Sequence, residues 1–331
     1  ILHCFVYDRS PDQELEYFCH KIFYYNRETT FRAHFSILPY IVRSRKSTEL
    51  LRNLVSDPYP ILFEGFHTCY YLWHPALKNR NKIVRMHNIE HQYYFKLGTR
   101  EKKIPYKIFL FIESLKLRLS FKLLKHADHI AGISLYDYDY LKKIVKNTLY
   151  LPAFHSNDEI KIKPGKGEYI LYHGNLGVAE NHQAAIYLVK KVFCKIDFKF
   201  IIAGKNPDIQ LKKLIGEYGN IELIHSPDEN KMKSLIQEAH ANVLITFQKT
   251  GIKIKLVESL FSGRFCIAND EMINGTGLEA LCERANSPSE IIIRIKKILS
   301  QSIDHELITL RSQVLEKFRN QYNIQILKNL F

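Results

Sequence analysis

The 331-residue chain is 46% apolar and 25% charged, with 14 Gly, 11 Pro, 20 Tyr and 20 Phe, a composition that excludes disordered, collagen-like and low-complexity classes. At about 150 residues per domain its length predicts two globular domains, each able to bury its own core. The net charge of +14 is uneven: residues 1–155 carry 24 Lys and Arg against 14 Asp and Glu, residues 156–331 carry 24 against 20. An excess of that kind points to a polyanionic partner, either nucleic acid or an anionic membrane face, with a solvated basic surface as the plain alternative.

The chain opens on Ile1-Leu-His-Cys-Phe-Val-Tyr7, an apolar run that reads as a buried strand already in progress, so a preceding strand and loop are expected outside this sequence. Further strands are expected at Lys21–Tyr25, Pro60–Glu64, Lys82–His87, His129–Ser134 and Thr148–Pro152, with helices at about 31–55, 104–126 and 135–146. The polar stretch His155–Glu168, which contains Pro and Gly, is the best linker. A second alternation follows, with strands Tyr169–Tyr172, Lys199–Ala203, Ile221–Ile224, Asn242–Thr246 and Phe265–Ala268. Helices are expected between them at 181–195, 208–217, 228–240 and 252–262, and the pattern from Ser287 to Phe331 is purely helical.

Short apolar strands separated by helices imply βαβ units and parallel sheets covered on both faces, so the fold class is α/β with two Rossmann-like, doubly wound domains and a C-terminal helical segment. The expected boundaries are 1–155, 156–304 and a helix at 305–331 packing back toward the first domain, with a cleft between the two domains. The longest apolar run in a helical stretch, Ile108–Ile112, is far short of the 18 to 20 residues needed to span a bilayer. Six scattered cysteines form no CxxC pair, which makes reduced thiols in the cytoplasm the expectation.

Ligands of such sheets bind beyond the carboxyl ends of the strands. Neither GxGxxG nor GxxxxGK[ST] occurs, which argues against a standard NAD(P) fingerprint and a P-loop. Only Gly65, Gly98 and Gly132 precede residue 156, so phosphate-cradling loops are sought in the second half. Thr250 is the expected N-cap of the helix near 252–262, and the free N–H groups of Gly251, Ile252 and Lys253 would form an anion site at its N-terminus. Lys255 adds a cation in the first turn, and Glu258 is placed to accept hydrogen bonds from two neighbouring hydroxyls such as those of a ribose. In the first half His87 ends an apolar strand, and the helix at 104–126 carries Arg118, Lys122 and Lys125 on one face, as contact with an anionic membrane requires.

The run Thr250-Gly-Ile-Lys-Ile-Lys-Leu-Val-Glu258-Ser-Leu-Phe-Ser-Gly-Arg264, with Tyr169-Ile-Leu-Tyr-His-Gly-Asn-Leu-Gly-Val-Ala-Glu-Asn181, resembles the retaining glycosyltransferases of the GT-B fold that carry a Glu-seven residues-Glu motif. Glu258 matches the second Glu of that motif, whereas Thr250 stands where the first belongs. The resemblance implies transfer of a hexose from a UDP- or GDP-sugar to a glycan or lipid-linked saccharide in surface polysaccharide synthesis. No metal and no permanently bound cofactor are implied. It further implies that Gly174, Asn175, Thr250, Gly251, Ile252 and Glu258 bind the donor, and that Lys205, Lys255 and His87 act in catalysis. Arg85-Met-His87-Asn-Ile-Glu90-His91 looks like an acceptor-domain strand, which puts Glu64, His67, Glu90 and His91 on the acceptor side. Asp137-Tyr-Asp139 has the letters of a metal-binding Asp-x-Asp motif, but falls in a helical stretch.

A peripheral position on the inner membrane face is the accompanying expectation. Two other classes stay open. One is a non-catalytic sugar-nucleotide or glycan binder of the same fold. The other is a nucleic-acid binder, for which the interleaved basic and aromatic residues of a known module are missing, so no nucleic-acid partner is expected.

Overall fold

The computed structural model describes residues 1–6, 14–157, 159–247 and 253–331. The chain divides into two compact units: unit 1 is Ile1–Leu151 with Leu327–Phe331, and unit 2 is Pro152–Ile326. Among the described residues all strand pairs in both units are parallel, apart from one isolated antiparallel bridge between Gly165 and Ile303.

Unit 1 holds two sheets among the described residues. Strands β1 (Leu2–Val6) and β2 (Ile22–Asn26) form a pair, and β3 (Ile61–Glu64), β4 (Lys82–Met86), β5 (His129–Gly132) and β6 (Thr148–Tyr150) form a four-stranded sheet in that order. The helix expected over 31–55 is instead three short ones, Phe31–His34, Tyr40–Arg43 and Thr48–Val55. Pro39 and Ser47 are the reasons. Each sits at a helix N-cap with extended backbone, and the Ser47 hydroxyl accepts the Leu50 N–H at 3.2 Å to restart the helix. The expected helix 104–126 is α-helical over Ile104–Ser120 and tightens to a 3₁₀ turn over Phe121–His126. A helix that the sequence pattern did not announce, Glu90–Arg100, packs on it: the added Cβ of a side chain at Gly98 would lie 3.1 Å from the Phe111 ring.

Unit 2 carries β7 (Ile170–His173), β8 (Phe200–Gly204), β9 (Ile221–His225), β10 (Ala241–Leu244), β11 (Phe265–Ala268) and the two-residue β12 (Glu283–Arg284). Their order is β12-β11-β10-β7-β8-β9. The chain therefore winds outward from β7 to β9, crosses back to β10 beside β7, and winds outward the other way. The helices that follow β7 and β10 therefore cover opposite faces of the sheet, and the change of winding direction falls between the carboxyl ends of these two strands, where doubly wound sheets open a crevice. The expected terminal helix 305–331 is broken into His305–Leu315, a 3₁₀ turn Glu316–Phe318, and Asn320–Lys328. At that break the Asn320 amide binds the His155 backbone in both directions, at 3.2 Å and 2.7 Å.

Packing of the switch point depends on backbone contact. Gly204, ending β8, lies against Gly174, ending β7, so closely that a Cβ at Gly204 would stand 1.8 Å from the Gly174 carbonyl oxygen. Arg264 ties the following layer together: its guanidinium donates to the carbonyls of Gln237, Glu238 and Ala239 at the end of helix Glu229–Glu238. Gly204→Ala should therefore lower stability by about 2 kcal/mol or more, because the clash is with backbone and not with a movable side chain. A thermal melt would read this as a fall in Tm, and an unchanged Tm would contradict the contact.

Candidate functional site

In unit 2 this crevice is lined by the loop after β7 and by Thr246 and Phe247, which follow β10. The first runs His173-Gly-Asn-Leu-Gly-Val and then turns into helix Ala179–Lys191, whose N-cap, Val178, has no capping side chain. Asn181 organises this loop, donating from Nδ2 to the Asn175 carbonyl at 3.0 Å and accepting from Lys255 Nζ at Oδ1, 3.1 Å away. Asn175 in turn accepts the Gly177 N–H at 3.1 Å. Glu180 binds the other loop, accepting from the Thr246 hydroxyl and from the Phe247 N–H.

Lys255 is the charged centre of this group. It enters on helix Ile254–Ser262 and lies over the Tyr172 ring, 5.3 Å from the centroid. Burial draws its pKa down from 10.5 to about 8, with Glu180 pulling it up and Lys253 pushing it down. One helical turn on, Ser259 Oγ meets His173 Nε2 at 3.0 Å. Burial and then Lys255 push that histidine down to about 3, so it is a neutral pin between β7 and the helix. Glu180, Asn181, His173 and Ser259 carried no assignment from the sequence. The signal available was Glu180-Asn181 opening a helix directly after a glycine-containing strand end.

Of the sequence-predicted donor residues, Gly174, Asn175 and Lys255 come together here. Thr250, Gly251 and Ile252 lie outside the described residues. Among the described residues the helix runs Ile254–Ser262 with Lys253 at its N-cap, and Leu256 and Leu260 are buried one turn apart on it. Lys205 is exposed, and what its residue gives the loop is its backbone carbonyl, which accepts the Leu176 N–H at 2.8 Å. Glu258 lines a small cavity of about 60 Å³ with Ser156, Asn157, Met232, Lys233 and Ser262. Burial raises its carboxyl above the ordinary range, and Ser156 Oγ donates to it at 3.4 Å.

In unit 1 a second polar group forms at the carboxyl ends of β3 and β4, which the register Glu64↔Arg85 sets side by side. His87 Nε2 lies 2.8 Å from one Glu64 oxygen, and Arg85 donates to the other at 3.2 Å. Burial alone would raise the Glu64 carboxyl. The His87 hydrogen bond and the Arg85 charge outweigh it and hold the carboxyl below its ordinary range. Gly65, at φ +84°, turns the chain so that the His67 ring fits beneath it, 6.1 Å from the His87 ring. A Cβ at Gly65 would lie 2.5 Å from that ring. His67 is kept neutral, pushed down to about 3 by burial and by Arg45.

Glu90 is buried at the first turn of its helix, and burial lifts its carboxyl to about 7, against the pull of His87 and Arg45. His91 does not join this group. Its ring contacts Phe121 edge-on and the Tyr140 hydroxyl, its carbonyl accepts from Ser114 Oγ, and burial and Arg118 hold it at about 4. The Asp-x-Asp letters are explained by capping: Asp137 N–H donates to Ser134 Oγ at 3.0 Å, and the Ser134 hydroxyl donates back to Asp137 at 2.7 Å.

Residues 167–301 match the family described as glycosyl transferases group 1. An uncharacterized 44.6 kDa protein in the cps region of Klebsiella pneumoniae is 27% identical over 285 residues, which are 82% of this chain and 73% of that one. The structure of the GtfA/B complex superposes with a TM-score of 0.59 at 14% identity, over 85% of this chain and 60% of that one. A UDP-forming α,α-trehalose-phosphate synthase from Burkholderia vietnamiensis gives 0.59 at 11% identity, over 88% and 76%. The fold is thus of the GT-B class, and the residues that match the group 1 model include both β7 and β10 of unit 2.

The Glu90 carboxyl generates a pH test. Its raised pKa means that it costs nothing below about 4.5, where it is protonated folded or unfolded, and that the cost accumulates as pH rises to about 7. Glu90→Gln should therefore match wild-type stability near pH 4 and exceed it by about 1–3 kcal/mol at pH 8. Denaturant titration at the two pH values measures the difference, and a pH-independent difference would contradict the raised pKa of the buried carboxyl.

Proposed function

We propose that the chain is a retaining glycosyltransferase that takes a nucleoside diphosphate sugar and transfers a hexose to a glycan or lipid-linked saccharide in the synthesis of a surface polysaccharide. The observation that carries the reading is Lys255, a partly desolvated cation at the topological switch of a parallel sheet, inside the segment matched to group 1 glycosyltransferases. The setting of the Klebsiella relative in a cps region supports the polysaccharide, and the UDP-forming neighbour supports a nucleotide-sugar donor, with UDP or GDP as the base-bearing part.

In this reading the diphosphate lies over Gly174 and Asn175, with Thr250, Gly251 and Ile252 supplying amides and Lys255 the charge. Lys205 is the second candidate cation. Glu258 accepts from the ribose hydroxyls. The bond between the anomeric carbon and the phosphate oxygen breaks with its electron pair leaving on the nucleoside diphosphate, so negative charge grows where Lys255 stands. The acceptor hydroxyl oxygen forms the new bond and gives up its proton. On the acceptor side we assign His87, oriented by Glu64, with His67 beneath it and Glu90 alongside. His91, packed against Phe121, serves the helix that presents Glu90. A non-catalytic donor-binding relative is the second reading, favoured by Thr250 in the place of the motif's first Glu.

Release of nucleoside diphosphate from a panel of UDP- and GDP-sugars, with and without saccharide acceptors, tests the proposal. Turnover of one donor supports the enzyme; binding without release supports the second reading. Glu258→Ala removes hydrogen bonds worth about 1.5–3 kcal/mol each to a charged acceptor, so donor affinity should fall at least about tenfold. An unchanged Kd in that variant removes the ribose assignment. His87→Ala should lower transfer while leaving donor Kd unchanged, and full activity in it would take His87 out of the mechanism.

A further inference from the structure

The helix Ile104–Ser120 is apolar on two sides. Its inner side is spent on unit 1, with Leu110 and Leu117 buried, Ser114 bonded to the His91 carbonyl, and Glu113 holding Lys116 and the Tyr40 N–H. A helix on a protein surface ordinarily turns charged residues outward. Here the outward residues Ile104, Ile108, Ile112, Leu115 and Leu119 are 49–70% exposed, and at 100° per residue they fall within an arc of roughly 80°. Beside them lies a second apolar group. Phe31, Phe35 and Ile37 are 82–94% exposed on a segment pinned to this helix, where the His34 carbonyl accepts from Lys116 Nζ and the His34 ring lies 6.1 Å from that of Phe109.

The charge around this face has one sign. Residues 90–125 contain nine Lys and Arg and three acids, and two of those acids, Glu90 and Glu113, are buried. Arg118, Lys122 and Lys125 are exposed at the carboxyl end of the stripe.

We propose that this face docks on an anionic membrane, the helix lying in the headgroup plane with the isoleucine and leucine stripe and the Phe31, Phe35 and Ile37 side chains in the acyl boundary. Arg118, Lys122 and Lys125 then reach lipid phosphates. Among the described residues no helix is long and apolar enough to cross a membrane, so the contact is interfacial. The basic face read from the sequence is half of this surface; the apolar stripe is the half that fixes the depth. The inference rests on the sugar-transfer reading only for its purpose, which is to bring the enzyme to a lipid-linked acceptor.

The test is co-sedimentation of the full chain with vesicles of phosphatidylcholine and phosphatidylglycerol, and of phosphatidylcholine alone. Wild type should bind the anionic vesicles at low salt and lose them as salt rises. The triple change Ile108→Ser, Ile112→Ser and Leu115→Ser, confined to exposed positions, should reduce binding about tenfold or more, as should Arg118→Glu with Lys122→Glu. Nucleoside diphosphate affinity should be the same in both variants. No vesicle binding by wild type at low salt, or binding indifferent to the triple change, overturns the proposal. A triple variant that turns a dimer into a monomer, with no vesicle binding by wild type, makes the face a contact between copies and also overturns it. Vesicle binding as expected with no turnover of any donor would remove the glycosyltransferase reading and leave the docking surface standing.

Discussion

The chemistry of unit 2 depends on one unfavourable interaction, the burial of the Lys255 ammonium between the Tyr172 ring and the Asn181 amide. A fall of its pKa from 10.5 to about 8 corresponds to roughly 3 kcal/mol of differential cost to the charged form. That cost is fully present below about pH 8 and is relieved as pH rises through 8 toward 10.5. Glu180, the nearest compensating carboxylate, already accepts from Thr246 and Phe247 across the switch point. A partly compensated cation in a crevice is destabilising for the empty protein and favourable for one holding an anion. The rest of the local structure follows from keeping it there: the neutral His173 pins the helix to β7, and the glycine contact between β7 and β8 keeps the loops close.

Unit 1 solves the opposite problem with the same architecture. Parallel register brings Glu64 and Arg85 to adjacent strand ends, and the strand-end His87 completes a short network whose carboxylate stays ionised despite burial. The neighbouring Glu90 is lifted by burial to about 7, so its carboxyl is about half protonated at neutral pH. Two carboxyl groups thus have their pKa values pushed apart by environment, a pattern that suits one to orienting a histidine and the other to proton exchange. These are properties of unit 1 alone.

The alternation of apolar runs with helical stretches made the α/β class and the parallel sheets legible, because a strand covered on both faces must be apolar throughout, as the fully buried β7, β8 and β10 are. Helix lengths were less legible. Pro39 and Ser47 divide 31–55, and the side-chain contact of Asn320 with His155 breaks the last helix, an interaction between residues 165 apart in sequence. The candidate site was half legible. Lys255 and Gly174 stand in a recognisable run, but Asn181, Glu180 and Ser259 acquire their roles only when β10 is inserted beside β7, which no local pattern states. The exposed stripe of helix Ile104–Ser120 was hidden for a related reason: its sequence is apolar nearly all round, and only packing decides which side is left to solvent.

The claim that the crevice of unit 2 is an anion site built around a desolvated cation is tested most directly on Lys255 itself. Reductive ¹³C-methylation and NMR titration, with Lys255→Arg to assign the signal, would follow its protonation with and without UDP or GDP. A midpoint near 8 is expected in the free protein, rising when the nucleoside diphosphate binds. A midpoint at the ordinary lysine value, unmoved by either nucleotide, would contradict it.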